Sequence, residues 1–507
     1  MELLKLTNGF REIFGVENIS DAPDKLFDVI FNCKVDLYDS WSDFCNEPDI
    51  DNMQPIFQYY LADRVNKKQD YTPKSLAILT CMIAGVHKAK KVYDMCAGSG
   101  ALTIQAWTIN PKANFICWEL DERVIPFLIF NLASRNINAT VIHGDILSEE
   151  QIKAYSIQSG EKYSTVAEIS VPTEVSADCC ISNPPYNIKW EPPIFGMLNK
   201  RYRYGIPPAI NANFAFILAA IQAAENAVLI LPNSVLGSDI NAEKEIRENL
   251  IEENIIDSII LNPDNMFEST SIGTCLFSAK KNKQTATVEI VDARKTYTEE
   301  IRLQNGQFGN SSHTGRTYQK CIKTYSPENI NSIISAIENR RNRSEFSAAV
   351  TKIDLKEKGY SLSPSKHIAF EYKEPTHRAY SDIIRELNAI IKEKNSCKMV
   401  INETLARALG LDIALFKREV ASDEKSEKLM EKLSGEKLIK SDYITFTKNK
   451  GEFILKANDP ERLPELFMIA LMMWKQHIAE CNNRENILLA EYRDALLPDL
   501  MSGKIEL

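Results

Sequence analysis

The sequence contains no apolar run near the ~20 residues that a membrane-spanning helix needs, so no membrane partner is expected. Its opening residues, MELLKLTNGFREIFG, lack the basic-then-apolar order of a secretory signal. The 6 histidines and 11 cysteines form no CxxC pair and no Cys/His cluster at ligand spacing, so no metal site is expected. Cysteines this scattered fit reduced, mostly buried thiols in a cytoplasmic protein, and adjacent Cys179 and Cys180 are expected to pack rather than react. Internal repeats and low-complexity tracts are also missing. So is any surplus of positive charge. Net charge is -9, and residues 1–51 hold 12 acidic against 4 basic side chains, leaving a nearly neutral body. Such a body is no obvious autonomous nucleic-acid binder; acting on DNA would require a localised basic groove or a basic partner. The acidic segment reads as a solvated helical face.

What remains is ordinary globular material: 44% apolar and 25% charged residues in 507, enough for two to four domains. Residues 1–54 read as short helices broken by polar turns, an acidic N-terminal helical segment. From residue 55 to 295, strands alternate with helices. The helix 71–88 is followed by KVYDM, ALTIQAWTI, ANFICWELD, a helix over 122–135 and ATVIHGDI. That alternation predicts an α/β fold with a parallel, doubly wound sheet. Residues 150–176 break the rhythm and read as an insertion or hairpin. ADCCIS, a helix over 213–226, AVLILP, a helix near 241–253, IDSIIL and a last strand TCLFSAKK complete the domain. Residues 296–380 form a polar connecting region, and 381–507 read as mainly helical. There, one helix spans about 378–394 and another about 461–497, stopping at Pro498, with a β-hairpin YITFTKNKGEFILKA between them.

Chemistry is concentrated at two turns. DMCAGSG, from Asp94 to Gly100, lies between a strand and a helix; Gly98 and Gly100 let the backbone approach a ligand and free the amides of the helix start. Glu119 ends the next strand, at the distance from the glycines that suits a carboxylate holding ribose hydroxyls. Asp145 ends the third, where a carboxylate can accept from an adenine amino group. Three acids at successive strand ends argue for an adenosine-bearing ligand at the carboxyl edge of the sheet. The second turn is SNPPYN, after the fourth strand. The Asn183 side-chain oxygen and the Pro184 carbonyl are two acceptors for one exocyclic amine, Pro185 stiffens the turn, and Tyr186 offers a flat face to an extruded base. Two acceptors on one –NH2 draw its lone pair out of ring conjugation, so that it can attack a sulfonium methyl group.

Together these motifs resemble the DNA N6-adenine methyltransferases, most closely the modification (methyltransferase) subunit of type I restriction–modification systems. QDYTPKSLAILTCMI resembles that family's Q-x-Y/F-T-P segment, DMCAGSG its methionine loop, NFICWELDERVIPFLIFNL its ribose segment, HGDIL its adenine-side acid and NPPY its catalytic tetrapeptide. FAFILAAIQ…AVLILPNSVLG and the stretch IRENLIEENIIDSIILNPDNMFESTSIGTCLFSAKK resemble the downstream units, and GYSLSPSKHI a segment beyond the catalytic domain. The resemblance covers about residues 55–295 in the family's order. It implies a Rossmann-like fold and S-adenosyl-L-methionine as cofactor. It implies cofactor contacts from Gln69, Asp70, Tyr71, Thr72, Pro73 and Lys74, from Asp94, Cys96, Gly98, Ser99, Gly100 and Ala101, and from Glu119 and Asp145. It implies catalysis by Asn183, Pro184, Pro185 and Tyr186 on a flipped adenine of double-stranded DNA, with no metal. It also implies a DNA specificity subunit as partner and leaves a restriction subunit open.

Two features depart from the family. 68 residues precede the Q-x-Y/F-T-P segment at Gln69, fewer than usual, and EYRDALLPDLMSGKIEL is similar to the tail of a specificity subunit, which reads either as shared docking helices or as an ordinary amphipathic helix ending at Pro498. After NPPY, the stretch 190–205 interleaves Lys200, Arg201 and Arg203 with Tyr202 and Tyr204; it reads either as a loop that touches phosphates and fills the gap left by a flipped base, or as a solvated basic loop. Rival readings keep the chemistry on RNA or on a protein glutamine, since those too present planar amines, or make the chain a non-catalytic cofactor-binding scaffold.

Overall fold

A computed structural model describes residues 3–62, 72–193, 196–267, 272–305, 317–369, 377–408, 444–449, 452–457 and 463–501. The chain divides into two units, 1–371 and 372–507.

The first unit opens with helices α1 (Leu3–Phe14), α2 (Ala22–Phe31), α3 (Val35–Cys45) and α4 (Gln54–Tyr60). Helix α5 (Lys74–Ala84) starts directly after Pro73 and ends at Gly85, whose φ of 78° only glycine adopts without strain. Then follow β1 (Lys91–Asp94), α6 (Ala101–Ile109), β2 (Asn114–Glu119), α7 (Ile125–Ser134) and β3 (Ala139–Asp145). The insertion read over 150–176 is an antiparallel hairpin, β4 (Glu150–Gln158) and β5 (Thr165–Ile169), laid on the edge of β3. β6 (Ala177–Ser182), α8 (Asn213–Ala223), β7 (Ala224–Pro232), α9 (Asn241–Glu252), β8 (Ile256–Leu261) and β9 (Thr274–Lys280) follow the expected order.

β9 is not the last strand of the sheet. β10 (Thr287–Asp292) pairs parallel with β8. After the separate hairpin β11 (Thr298–Asn305) and β12 (Thr317–Thr324) and helix α10 (Pro327–Asn339), β13 (Ser347–Thr351) adds antiparallel to β10. A short helix α11 (Lys352–Glu357) follows. Among the described residues the sheet then has eleven strands, ordered β13-β10-β8-β9-β7-β6-β1-β2-β3-β4-β5, with a parallel block from β7 to β3. From β1 the chain steps outward to β2 and β3, then returns to place β6 on the other side of β1. Strand order reverses between β1 and β6, and loops that leave neighbouring strands in opposite directions open a crevice at their carboxyl ends.

Both faces of the sheet are covered. Alternation along the strands sends Val92 and Cys179 to one core and Tyr93 and Cys180 to the other. The two adjacent cysteines therefore pack in different layers, and burial pushes the Cys179 thiol up to about 12. The acidic N-terminal helices are part of the first layer. Phe10 stacks on Phe127 at 6.4 Å and Tyr38 on Phe130 at 4.7 Å, so the apolar faces of α1 and α3 cover α7.

One buried acid has a measurable consequence. Glu289 on β10 is fully buried and neither carboxylate oxygen has a hydrogen bond among the described residues. Burial pushes its carboxyl from 4.5 up to about 7, against the pull of Arg340. A folded-state value above the unfolded one costs stability as pH rises from about 4.5 to 7, and the cost is constant above that. Between pH 4.5 and 8, Glu289→Gln is expected to gain about 2–3 kcal/mol over the parent, read from urea denaturation at each pH. A pH-independent difference would contradict this.

In the second unit, α12 (Tyr380–Ala408) packs along α13 (Leu463–Met501), and β14 (Ile444–Asn449) pairs antiparallel with β15 (Glu452–Ala457) as the expected hairpin. Pro498 does not stop α13; the helix continues to Met501. A proline this near the end removes one backbone bond, and Asp499 beyond it is anchored by the Tyr380 hydroxyl at 2.6 Å. No helix among the described residues is long and apolar enough to cross a membrane.

Candidate active site

The crevice between β1 and β6 receives both chemical turns. β1 ends at Asp94, opposite Ile181 of β6, so the glycine turn and Asn183 leave neighbouring strands side by side. Gly98 and Gly100 have φ of 56° and 98°, and a Cβ on Gly100 would stand 2.9 Å from Leu128 Cδ1. The turn needs glycine both for its backbone and for its approach to α7.

Glu119 is fixed by the backbone around it. The Gly98 N–H donates to Oε2 and the Asp121 N–H to Oε1, each at 2.8 Å. Each carboxylate oxygen keeps a further lone pair, so two neighbouring hydroxyls can be accepted without moving the side chain. Burial pushes this carboxyl above its ordinary value. Asp94 lies deeper. Thr103 Oγ1 donates to its Oδ2 at 2.7 Å, while its buried Oδ1 has no hydrogen bond among the described residues. Burial pushes Asp94 up to about 7, and Glu119 adds to the shift. A cationic or hydrogen-bond-donating group bound above this pair would relieve both. Asp145 is half-buried, with Oδ1 accepting from the Leu147 N–H at 2.9 Å.

At the other turn, the Tyr186 hydroxyl donates to Asn183 Oδ1 at 2.6 Å. The amide oxygen is thereby aimed. The Tyr186 ring meets Phe267 edge-on at 6.5 Å. Asn187 holds a φ of 54°, and the fully buried Asn213 at the start of α8 accepts from its backbone N–H at 3.1 Å and donates to its side chain at 2.9 Å. That paired contact sets where the tetrapeptide ends.

One cavity joins these groups. Thr72, Cys96, Gly98, Ala101, Glu119, Asp145 and all of Asn183, Pro184, Pro185 and Tyr186 line it. Asp94, Ser99, Gly100, Pro73 and Lys74 do not: Asp94 lies beneath the turn, the Ser99 side chain points to Asp51, and Lys74 pairs with Asp49. Gln69, Asp70 and Tyr71 lie outside the described residues. The sequence reading missed the apolar walls, notably Trp118, Leu120, Ile146, Ile188 and Phe216. Leu120 carried a signal, a large apolar residue straight after the strand-end acid, and it is 52% exposed. The donor set fits an adenosine carrying a cationic tail. Paired hydroxyls would meet Glu119 and a flat ring the walls around Leu120 and Ile146, while the negative charge of Asp94 beneath the turn would favour a cationic group through the turn rather than by contact.

The basic loop after Tyr186 differs from expectation. Arg201 is buried and fully engaged: Nε donates to Gln222, Nη1 to the Ile146 carbonyl at 2.7 Å, and Nη2 pairs with Glu149 at 2.8 Å. Tyr202 and Tyr204 are buried too. These three side chains build the loop and are not available to phosphates or to a vacated base stack; Lys200 and Arg203 remain at the surface.

Comparison with known proteins gives consistent matches. The family model described as N-6 DNA Methylase matches residues 49–375, more than half of the chain. The methylase subunit of the type I restriction enzyme MpnII of Mycoplasma pneumoniae is 23% identical over 320 residues, 59% of this chain and 53% of that protein. The methylase subunit of the type I restriction enzyme HindI of Haemophilus influenzae is 21% identical over 382 residues, 70% of this chain and 77% of that protein. The chain thus spans about half the length of the first of these relatives. A type I restriction–modification methyltransferase subunit from Streptococcus thermophilus shares the fold with a TM-score of 0.51 and 23% identity, over 66% of this chain and 64% of that one.

Proposed function

The chain belongs to the N-6 DNA methylase family, and from that premise we propose that it transfers a methyl group from S-adenosyl-L-methionine to N6 of a flipped adenine in double-stranded DNA, as the modification subunit of a type I-like restriction–modification system. The observation that carries the proposal is the single cavity on which Glu119, the glycine turn and Asn183–Tyr186 converge. When bound, S-adenosyl-L-methionine supplies an electrophilic methyl group on a sulfonium.

The chain's own residues do the rest. Gly98 and Glu119 position the adenosine, with Asp145 and the apolar walls on its base side and Asp94 answering positive charge. Asn183 Oδ1 and the Pro184 carbonyl accept hydrogen bonds from the two N–H groups of the exocyclic amine. The amine's lone pair then localises on nitrogen, and the proline pair keeps both acceptors in place while the new N–C bond forms, the methyl–sulfur bond breaks, the thioether S-adenosylhomocysteine leaves and one N6 proton is lost to water. Tyr186 stacks on the base and, through its hydroxyl, keeps Asn183 from turning away. An extruded base is needed because a paired N6 is inaccessible within the duplex. The free thiols among the described residues and the DNA substrate support a cytoplasmic protein. With Arg201 withdrawn into the loop, sequence choice falls to a specificity subunit, and we place its docking on the helices of 381–507; a restriction subunit is compatible with the same assembly.

Loss of the Asn187 clamp should separate chemistry from cofactor binding. Asn213→Ala is expected to lower kcat about tenfold while the dissociation constant for S-adenosylmethionine stays at the parental value; equal loss in both would contradict a role confined to the tetrapeptide. The assignment itself is tested by tritium transfer from labelled S-adenosylmethionine to DNA, RNA and a glutamine-bearing release-factor protein side by side. Label in DNA alone is expected. Label in RNA or protein alone would replace the substrate, and binding without transfer to any of the three would make the chain a scaffold.

A further inference from the structure

The acidic N-terminal segment is attached to the glycine turn through one buried residue. Asp51 lies just before α4 and is 7% exposed. Its Oδ1 accepts from the backbone N–H groups of Met53 and Gln54, at 3.0 and 2.9 Å, and from Asn131 Nδ2 at 2.8 Å. Its Oδ2 accepts from Ser99 Oγ at 2.6 Å. The same Asn131 amide donates to the Ser99 carbonyl at 2.8 Å. Ser99, between the two glycines of the turn, is therefore gripped by side chain and backbone at once, and it is fully buried.

The grip is itself held. Arg135, the residue that ends α7, donates to the carbonyls of Pro48, at 2.6 Å, and Ile50, at 2.7 Å, and to Asn131 Oδ1 at 3.1 Å. Gln105 on α6 donates to the Asp49 carbonyl at 2.6 Å, and Lys74 at the start of α5 pairs with the Asp49 carboxylate. That last pair is nearly half exposed and contributes little. The Asp51–Ser99 bond is charge-assisted and buried, where a lost partner leaves a desolvated polar group behind.

We propose that Asp51 is a positioning residue that holds the glycine turn in its cofactor-binding shape, so that the segment 48–54 is part of the binding machinery rather than a solvated appendage. The inference rests on the proposed use of S-adenosylmethionine. A turn flanked by two left-handed glycines is otherwise free to take other shapes, because glycine gives no preference for one. Asp51 removes that freedom before the ligand arrives, and preorganisation of this kind appears in affinity rather than in the rate of the chemical step.

The test uses the full chain. Asp51→Asn keeps the shape and removes the charge; Ser99→Ala removes only the hydroxyl and leaves Asp51 three donors, so it guards against misfolding. Each is expected to raise the calorimetric dissociation constant and the KM for S-adenosylmethionine about tenfold, with kcat at saturating cofactor within about twofold of the parent. The double variant should be no weaker than the worse single one, because both act on the same contact, one by removing its charge and the other by removing its hydroxyl. Parental affinity in Ser99→Ala, or a lowered melting temperature with unchanged KM in both, would overturn the inference and leave the proposed function standing. A parent chain that binds no S-adenosylmethionine would overturn both.

Discussion

Asn183→Ala is expected to reduce methyl transfer to DNA about a hundredfold to a thousandfold, with S-adenosylmethionine bound as tightly as by the parent. The side-chain oxygen is one of only two acceptors assigned to the amine, and it acts where charge develops on nitrogen. In the ground state an adenine amine has little need of it, so the loss should fall on kcat. Alanine also frees the Tyr186 hydroxyl from its 2.6 Å bond, which loosens the ring that stacks on the base. Single-turnover transfer with labelled cofactor, beside calorimetric binding, separates the two steps. A variant that methylates at the parental rate would remove Asn183 from the mechanism.

Glu119→Gln should act on the opposite step. Both carboxylate oxygens are already bonded to backbone N–H groups at 2.8 Å, those of Gly98 and Asp121. Glutamine must turn its –NH2 towards one of them, so a donor faces a donor and the glycine turn loses its anchor. Two hydroxyl contacts to a charged group weaken at the same time. The dissociation constant for S-adenosylmethionine is expected to rise about a hundredfold or more, since each such bond is worth roughly 1.5–3 kcal/mol. At saturating cofactor most of kcat should return. A dissociation constant within about threefold of the parent would show that Glu119 does not hold the adenosine.

The two variants sample the parts of the site that local sequence encodes best. Strand ends are marked by where apolar alternation stops, so the sequence alone places Asp94, Glu119, Asp145 and Asn183 on one edge of a sheet. The crevice follows from chain order, because a sheet that grows outward and then returns must reverse beside its first strand. Other features depend on contacts distant in sequence. β10 and β13 join the sheet through pairing with β8 and with each other, and nothing within either strand names its partner. Arg201 reads as a surface cation until Gln222, Ile146 and Glu149 are brought around it. Asp51 reads as one more charge in an acidic segment, yet it is among the more buried acids of the chain because Ser99 and Asn131 fold onto it. Leu120 shows the reverse, an apolar side chain kept half exposed because it forms a wall of the cavity. In each case the residue type was visible and its surroundings were not.

The most direct test of the central claim is nucleoside mass spectrometry of genomic DNA from cells that carry the chain with its natural partners, against the same cells with only Asn183 replaced by alanine. The account predicts N6-methyldeoxyadenosine in the first and its loss in the second. The same level of N6-methyldeoxyadenosine in both, or a modification that appears on cytosine instead, would contradict it.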